Sequence, residues 1–202
     1  GNDGSLERPY VTLKEAADKI NSKTSGSYEI IMLGDTTETS SVVFGNGGDI
    51  DVSMTADATS SGAITVSKGF NSGNGSMICV NINTTLTVKG SSDLEQLIFD
   101  GQGESFQGEY PLVMVMANGT LNLNANTYVQ NNVNTRSNTS YQGGGIINYG
   151  TLNINGGNVS NNKGYNAGGI FNNGTLTMND GSVSFKCLLY GKPYSWKPRE
   201  WK

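Results

Sequence analysis

A four-residue pattern, Thr-Leu-polar-aliphatic, occurs four times in the chain and restricts its fold more than any other sequence feature. The copies begin at Thr85, Thr120, Thr151 and Thr175, at intervals of 35, 31 and 24 residues, and a weaker copy begins at Ala63. Each copy alternates polar and apolar residues with the period of two that is typical of a β-strand. The unequal intervals between such similar segments indicate loops of different length between constant strands.

The last two copies are parts of longer repeats. Residues 144–150 align with residues 168–174, and residues 159–162 repeat residues 129–132 as Val-x-Asn-Asn. Each repeat therefore holds three short strands, which are too few to bury an apolar face alone. Repeats stacked about 4.8 Å apart would hydrogen-bond strand on strand into parallel sheets. We therefore predict a solenoid with three interior columns of side chains: Leu86, Leu121, Leu152 and Leu176; Val88, Leu123, Ile154 and Met178; and Val129, Val159 and Val183.

The N-terminal part of the chain has a different period, which predicts a short helix. Thr12 and Glu15 have the spacing of a capping box, in which each side chain binds a free backbone N–H at the start of a helix. Apolar residues then follow at the helical spacing i, i+3, i+4 and i+7: Leu13, Ala16, Ala17 and Ile20. We predict an amphipathic helix over residues 12–21 that covers the first coil.

The sequence thus predicts one all-β domain with a helix at its N-terminal end. The expected parts are a disordered or extended segment over residues 1–11, the solenoid over 12–184 and a non-repeat tail over 185–202. The tail is either a cap on the last coil or a segment outside the fold that contacts a partner surface or a second copy. The alternative fold is a sandwich of antiparallel hairpins, since Asn-Gly pairs are also typical of tight hairpin turns.

These repeats resemble those of a known family. The segments 144–146 and 168–170 (Gly-Gly-Ile) and the two Val-x-Asn-Asn segments are similar to the Gly-Gly-x-Ile and Phe-x-x-Asn repeats of bacterial surface proteins in the pectin-lyase-like superfamily. Polymorphic outer-membrane proteins and adhesins carry such repeats, with phenylalanine where this chain has valine. The resemblance implies a single-stranded right-handed parallel β-helix that is secreted or at the cell surface, associated with an outer membrane.

The composition excludes several kinds of function. The sequence contains no histidine, so Ser-His-Asp and Cys-His activation of a nucleophile are not available. A net charge of -4 with scattered basic residues leaves no cationic surface for nucleic acid. No apolar run is long enough to span a bilayer. Cys79 and Cys187 match neither a zinc site nor a disulfide framework, so we predict two free thiols. We predict no cofactor and no catalytic residue.

Few carboxylates are placed where they could act on a substrate or bind a metal. The resemblance implies that polysaccharide-cleaving relatives use clustered aspartates, often with calcium, yet residues 110–179 contain no carboxylate. The candidate oxygen ligands for a metal are Asp49 and Asp51, which would share one face of a strand, and Asp100 in a glycine-rich segment. The alternatives are solvated surface carboxylates at positions 49 and 51 and an Asx turn at position 100.

The outward positions of the repeated strand predict a binding surface. Stacked coils would align them in a ladder of hydroxyl and amide groups: Thr85, Thr87, Thr120, Asn122, Thr151, Asn153, Thr175 and Thr177. We therefore expect a non-catalytic, adhesin-like protein that binds a host macromolecule or a glycan along the solenoid. The alternatives are a polysaccharide lyase or hydrolase that uses the N-terminal aspartates, and an ice-binding protein that uses the threonines. Threonine is also common on any solvent-facing strand.

Overall fold

The computed structural model describes residues 2–57, 59, 62–71, 75–135 and 143–187, with the backbone alone at 185–187. Within these ranges the chain forms one α-helix, one short 3₁₀-helix at Gly103–Phe106 and fifteen strands. The helix and strands are α1 (Leu13–Asn21), β1 (Gly26–Met32), β2 (Thr36–Glu38), β3 (Val42–Phe44), β4 (Ile50–Ala56), β5 (Ile64–Lys68), β6 (Ile78–Val80), β7 (Thr84–Lys89), β8 (Leu97–Asp100), β9 (Val113–Val115), β10 (Thr120–Asn124), β11 (Thr127–Gln130), β12 (Ile146–Asn148), β13 (Thr151–Gly164), β14 (Ile170–Asn172) and β15 (Thr175–Cys187).

The strands form three columns in which every ladder is parallel. The first column runs β1, β4, β7, β10, β13 and β15, and the second runs β2, β5, β8, β11, β13 and β15. Because β13 is long enough to pair with both β10 and β11, these columns join into one sheet of ten strands, of which β15 is the tenth and pairs with β13. The third column is a five-stranded sheet, β3, β6, β9, β12 and β14. We call one set of strands from the three columns a coil: β1–β3 form the first, β4–β6 the second, β7–β9 the third, β10–β12 the fourth, β13 and β14 the fifth, and β15 lies in the sixth. The parallel ladders show that the alternative of a hairpin sandwich is wrong.

The predicted interior columns are confirmed by the register. Leu86 pairs with Leu121, Leu121 with Leu152, and Leu152 with Leu176. The two neighbouring sets pair in the same order: Val88, Leu123, Ile154 and Met178 in one, and Val129, Val159 and Val183 in the other. The members of the inner coils are fully buried, whereas Leu176 and Met178 in β15 are 40% and 49% exposed. Burial therefore depends on having a coil on both sides.

The predicted weaker copy at Ala63 is wrong. The strand that follows it, β5, lies in the second column between β2 and β8, and so does not continue the column of Thr85. That column continues instead through β4, where Val52 pairs with Leu86, and then through β1, where Tyr28 pairs with Val52. Alternation alone indicates a strand but not its column, because all three strands of a coil alternate in the same way.

Repeated asparagines occupy the corners between strands in the left-handed conformation. Asn83, Asn118, Asn126, Asn131 and Asn161 all have φ between 54° and 62°. An L-residue with a bulky side chain is strained there, whereas the short asparagine side chain tolerates it. Asparagine therefore supplies the left-handed residues that these corners need.

The repeated Gly-Gly and Asn-Asn motifs meet at a corner of the fourth and fifth coils. Asn132 Nδ2 donates to the carbonyl oxygen of Gly144 at 2.7 Å, and Asn132 N–H donates to Asn162 Oδ1 at 2.9 Å. A Cβ at Gly145 would lie 2.6 Å from Asn162 Nδ2 and 2.7 Å from the carbonyl oxygen of Gly169. Glycine is required at position 145 because the buried amide and the next coil approach the backbone so closely.

The helix α1 is held at its N-terminus by two caps. The predicted capping box is present: Glu15 N–H donates to Thr12 Oγ1 at 3.2 Å and Thr12 N–H donates to Glu15 Oε2 at 3.4 Å. The buried carboxylate of Glu38 accepts hydrogen bonds from Leu13 N–H at 2.8 Å and Lys14 N–H at 3.2 Å. A carboxylate is favoured there because the helix N-terminus carries partial positive charge. Glu38 thus ties the helix to β2 in the first coil.

The helix lies on the first coil, as predicted. It buries Leu13, Ala17 and Ile20, and it contacts β2 and β3.

At the other end, β15 extends to Cys187 by backbone pairing with β13, three residues past the predicted end of the repeat at 184. Of the predicted tail over residues 185–202, the side chains of 185–187 and all of 188–202 lie outside the described residues. Residues 3–8 form a turn in which Arg8 N–H donates to the carbonyl oxygen of Ser5 at 3.1 Å. No helix among the described residues is long and apolar enough to cross a membrane.

Replacing Glu38 tests the second helix cap. We expect Glu38→Ala to lower the free energy of unfolding by about 2–4 kcal/mol, because two backbone donors at a buried helix end lose a charged acceptor. Urea denaturation followed by circular dichroism measures this change. Glu29→Ala, at an exposed position of β1, is the control and should change the free energy by less than about 0.5 kcal/mol. An equal decrease in the free energy of unfolding in the two variants would contradict the assignment of Glu38 as a helix cap.

Truncating the same repeat position in two coils tests the stacking. Leu121→Ala should cost about 2–5 kcal/mol, because the side chain is fully buried between Leu86 and Leu152. Leu176→Ala should cost under about 1 kcal/mol, because Leu176 is 40% exposed. Urea denaturation again gives both values. A larger loss at Leu176 than at Leu121 would contradict the predicted dependence on two neighbouring coils.

Candidate functional site

The predicted outward ladder exists as a chain of side-chain hydrogen bonds. Asn122 Nδ2 donates to Thr87 Oγ1 at 2.9 Å, and Asn153 Nδ2 donates to Asn122 Oδ1 at 2.8 Å. The register then places Thr177 beside Asn153. Thr85, Thr120, Thr151 and Thr175 lie in a second row two residues earlier along the strands. The structure therefore brings all eight predicted ladder residues together on one face.

A second ladder of amides, which the sequence reasoning missed, runs beside the first. Asn155 Nδ2 donates to Asn124 Oδ1 at 3.2 Å, and Asn179 Nδ2 donates to Asn155 Oδ1 at 2.7 Å. The signal was in the sequence, because each of these asparagines stands four residues after the first threonine of its Thr-Leu segment. The four-residue pattern ended one position too early to include them.

Past the corner at Asn126, the second column carries a further outward row on the same coils. Tyr128 pairs in register with Asn158, and Asn158 pairs with Ser182, whose Oγ donates to Asn158 Oδ1 at 2.6 Å. Tyr128 and Asn158 are half-buried. We call the two ladders together with Tyr128, Asn158 and Ser182 the amide face.

The amide face is neutral and keeps part of its hydrogen-bonding capacity. An asparagine amide has two N–H groups and an oxygen with two lone pairs. Asn122 uses one N–H and one lone pair in the ladder, and the same is true of Asn155. Each of these amides therefore retains one donor and one acceptor position that the ladder does not use. The retained groups recur at the spacing of the strands, about 4.8 Å.

Asp49 and Asp51 are exposed on the first column. Asp49 immediately precedes β4 and its carbonyl oxygen accepts from Gly26 N–H at 3.0 Å, while Asp51 lies within β4 between Ser27 and Thr85. Among the residues that the structure describes, no three histidine, cysteine or carboxylate side chains form a group that could hold a metal ion. A metal-ligand role for Asp49 or Asp51 stays a prediction.

The carboxylate of Asp100 is held by amide groups from its own coil and the next. Its Oδ1 accepts from Gln102 N–H at 2.7 Å and Gln102 Nε2 at 3.2 Å. Its Oδ2 accepts from Asn131 Nδ2 at 2.7 Å and Gln130 Nε2 at 3.1 Å. The bond to Gln102 N–H confirms the Asx turn that was the alternative interpretation of this segment. Asp100 therefore fastens a corner of the third coil to the fourth.

Lys68 is a buried cation that sequence reasoning did not single out. It is 1% exposed, and its Nζ donates to the carbonyl oxygen of Phe106 at 2.8 Å and to Asn132 Oδ1 at 3.2 Å. The Nζ lies 5.8 Å from the centre of the Phe70 ring. Burial lowers the pKa of Lys68 to about 8. The alternation of β5 could have revealed it, because Lys68 shares the inward face with Ile64 and Val66.

Cys79 is a half-buried free thiol in β6, as predicted. Burial raises the pKa of Cys79 to about 11, so the thiolate is scarce at neutral pH. The side chain of Cys187 lies outside the described residues.

Comparisons of this chain with family models, curated proteins and solved structures found no match. The resemblance to bacterial β-helix surface proteins therefore stays a prediction that the repeat residues alone support.

Replacing Asp100 tests its structural role. Asp100→Ala should lower the free energy of unfolding by about 2–4 kcal/mol, because it leaves several donors at a buried corner without their charged acceptor. The matched control is Asp49→Ala, an exposed aspartate, which should change the value by less than about 0.5 kcal/mol. Thermal and urea unfolding measure both variants. An Asp100→Ala protein as stable as the parent would contradict this assignment.

Proposed function

We propose that this chain is a right-handed parallel β-helix that is secreted or displayed at a bacterial cell surface, associated with the outer membrane, and that binds a glycan along its side without cleaving it. The observation that carries the proposal is the amide face, a periodic array of uncharged hydrogen-bonding side chains on four successive coils. The repeat motifs shared with bacterial surface proteins support the location.

The chemistry of the amide face favours sugars over other ligands. A sugar hydroxyl both donates and accepts a hydrogen bond, and the amides of Asn122 and Asn155 retain one group of each kind. A linear glycan presents its hydroxyls at regular intervals, so it can repeat the same contacts from coil to coil. Tyr128 adds an aromatic surface beside the ladders, against which the apolar face of a sugar ring can pack.

The charge pattern favours a neutral glycan. Residues 110–179 contain no carboxylate and only two basic residues, Arg136 and Lys163. Of these, Lys163 is paired with Glu104 at 2.6 Å. Among the described residues of the fourth and fifth coils, the amide face therefore carries no cation with which to attract a polyanionic polysaccharide. On the third coil the exposed Lys89 ends β7 at the edge of the face. We propose neutral glycans, free or attached to a host macromolecule, as the ligand class.

A glycan array followed by calorimetry tests the proposal. The parent protein should bind one group of neutral glycans, and the double variant Asn122→Ala/Asn153→Ala should bind them at least about 5-fold more weakly, the equivalent of two hydrogen bonds of about 0.5 kcal/mol each. Tyr128→Ala should also weaken binding. Ser27→Ala, an exposed outward position of β1 away from the amide face, is the control and should bind as the parent does.

Two outcomes would overturn this proposal. One is the absence of binding to any glycan by the folded parent protein. The other is cleavage: incubation of polysaccharides with and without calcium, followed by mass spectrometry, should show no turnover. Reproducible cleavage that is lost in Asp49→Asn or Asp51→Asn, two exposed positions, would establish instead the polysaccharide lyase or hydrolase that was the alternative prediction.

A further inference from the structure

A buried lysine and a buried asparagine from two different coils are in contact in the interior. Lys68 ends β5 in the second coil, and Asn132 follows β11 in the fourth coil. Lys68 Nζ lies 3.2 Å from Asn132 Oδ1, and the two residues are 1% and 0% exposed. They are 64 positions apart in the chain. A nucleophilic amine and a carboxamide thus meet where water has little access.

The coil between them leaves room for this contact. Asp100 in the third coil pairs with Ser67, so the next residue, Gly101, lies beside Lys68 in the stack. A Cβ at Gly101 would lie 2.5 Å from the Cα of Asn132 and 2.7 Å from its Cβ. Position 101 therefore has no room for a side chain, and the third coil adds no side chain there between Lys68 and Asn132.

The amide of Asn132 is fixed in one orientation. Its Nδ2 donates to the carbonyl oxygens of Gly144 at 2.7 Å and Tyr110 at 3.1 Å, so its oxygen side faces Lys68. Both hydrogens of the NH₂ group are therefore held away from the amine. Cγ of Asn132 is bonded to the oxygen that Nζ contacts, so the nucleophile and the carbon that it would attack are held in one place, an arrangement that raises effective concentration.

We propose that Lys68 and Asn132 join in an intramolecular isopeptide bond. The neutral amine of Lys68 attacks Cγ of Asn132, a new Nζ–Cγ bond forms, and the Cγ–Nδ2 bond breaks. One hydrogen of the amine leaves with the NH₂ group, so the products are a secondary amide and one molecule of ammonia. The reaction requires no oxidant, reductant or further reactant.

The surroundings favour the neutral amine that the reaction needs. Burial lowers the pKa of Lys68 to about 8. The hydrogen-bond partners of its Nζ are an uncharged carbonyl and an uncharged amide. Glu38 pairs in register with Lys68, and its carboxylate accepts hydrogen bonds from the N-terminus of α1; Asp100 binds amides, and Glu104 pairs with Lys163. The amount of neutral amine, and with it the rate of bond formation, should therefore rise as pH passes about 8.

The bond would join the second coil directly to the fourth and so hold the third coil between them. It would lie in the interior of the stack. Such a link limits the separation of coils when the chain is unfolded or pulled, as a disulfide does. It needs no oxidising compartment.

Intact-mass spectrometry tests the proposal on the full chain. After incubation at about pH 9, above the pKa of Lys68 of about 8, the protein should weigh less than its sequence by one ammonia molecule. Protease digestion should then yield a branched peptide that joins Lys68 to Asn132. Lys68→Met and Asn132→Ala should each restore the full mass. Lys163→Met, which removes a lysine on a neighbouring coil that pairs with Glu104, is the control and should keep the loss.

Asn132→Asp gives an independent test that does not rely on truncation. Its link would form by loss of water, and the linked product would have the same mass as the linked parent protein. Circular dichroism confirms in each case that the protein is folded. A folded parent protein with its full mass after incubation would overturn the proposal. So would a loss of ammonia that persists in Lys68→Met, because that loss would come from a succinimide at an asparagine.

Discussion

The structure depends on parallel pairing in register between successive coils. Each strand of an inner coil has a neighbour on both edges, so backbone hydrogen bonds run along each column while side chains at equal positions lie on one another. Identical or similar residues at these positions then pack in a regular way, as Leu86, Leu121 and Leu152 do. The same pairing that buries leucine on the inside aligns asparagine on the outside. Core and amide face are two consequences of one register.

The polar groups inside the stack are arranged by the same rule. Glu38, Lys68 and Asn132 all lie at or after the end of a strand in the second column, where the chain turns toward the third. Each is buried, and each satisfies backbone groups or another of these polar residues. A corner exposes backbone donors and acceptors that no ladder uses, and buried polar side chains are the means of satisfying them. These buried polar residues therefore lie where the chain turns from the second column to the third.

The sequence predicts the parts of the fold that repeat. The capping box of Thr12, the leucine column and the left-handed asparagines each follow from a spacing that the chain displays more than once or from a motif with a local cause. The segment that begins at Ala63 could not be assigned to its column from the sequence, because the strands of all three columns alternate polar and apolar residues. Glu38 and Lys68 escaped prediction for another reason: their roles depend on partners 24 to 64 residues away that no local pattern connects. In the candidate site, the first ladder was predicted from the sequence. The second ladder was missed because its asparagines lie one position beyond the four-residue pattern.

The helix on the first coil makes the two ends of the molecule unlike. At the helix end α1 packs on β2 and β3 of the first coil and is bonded to Glu38, while in the last described coil β15 presents Leu176 and Met178 to solvent. A coil duplicated within the gene can therefore be added after β15 without disturbing any contact of the helix. During evolution, coils would therefore be added at the β15 end, and the amide face would lengthen with each added coil.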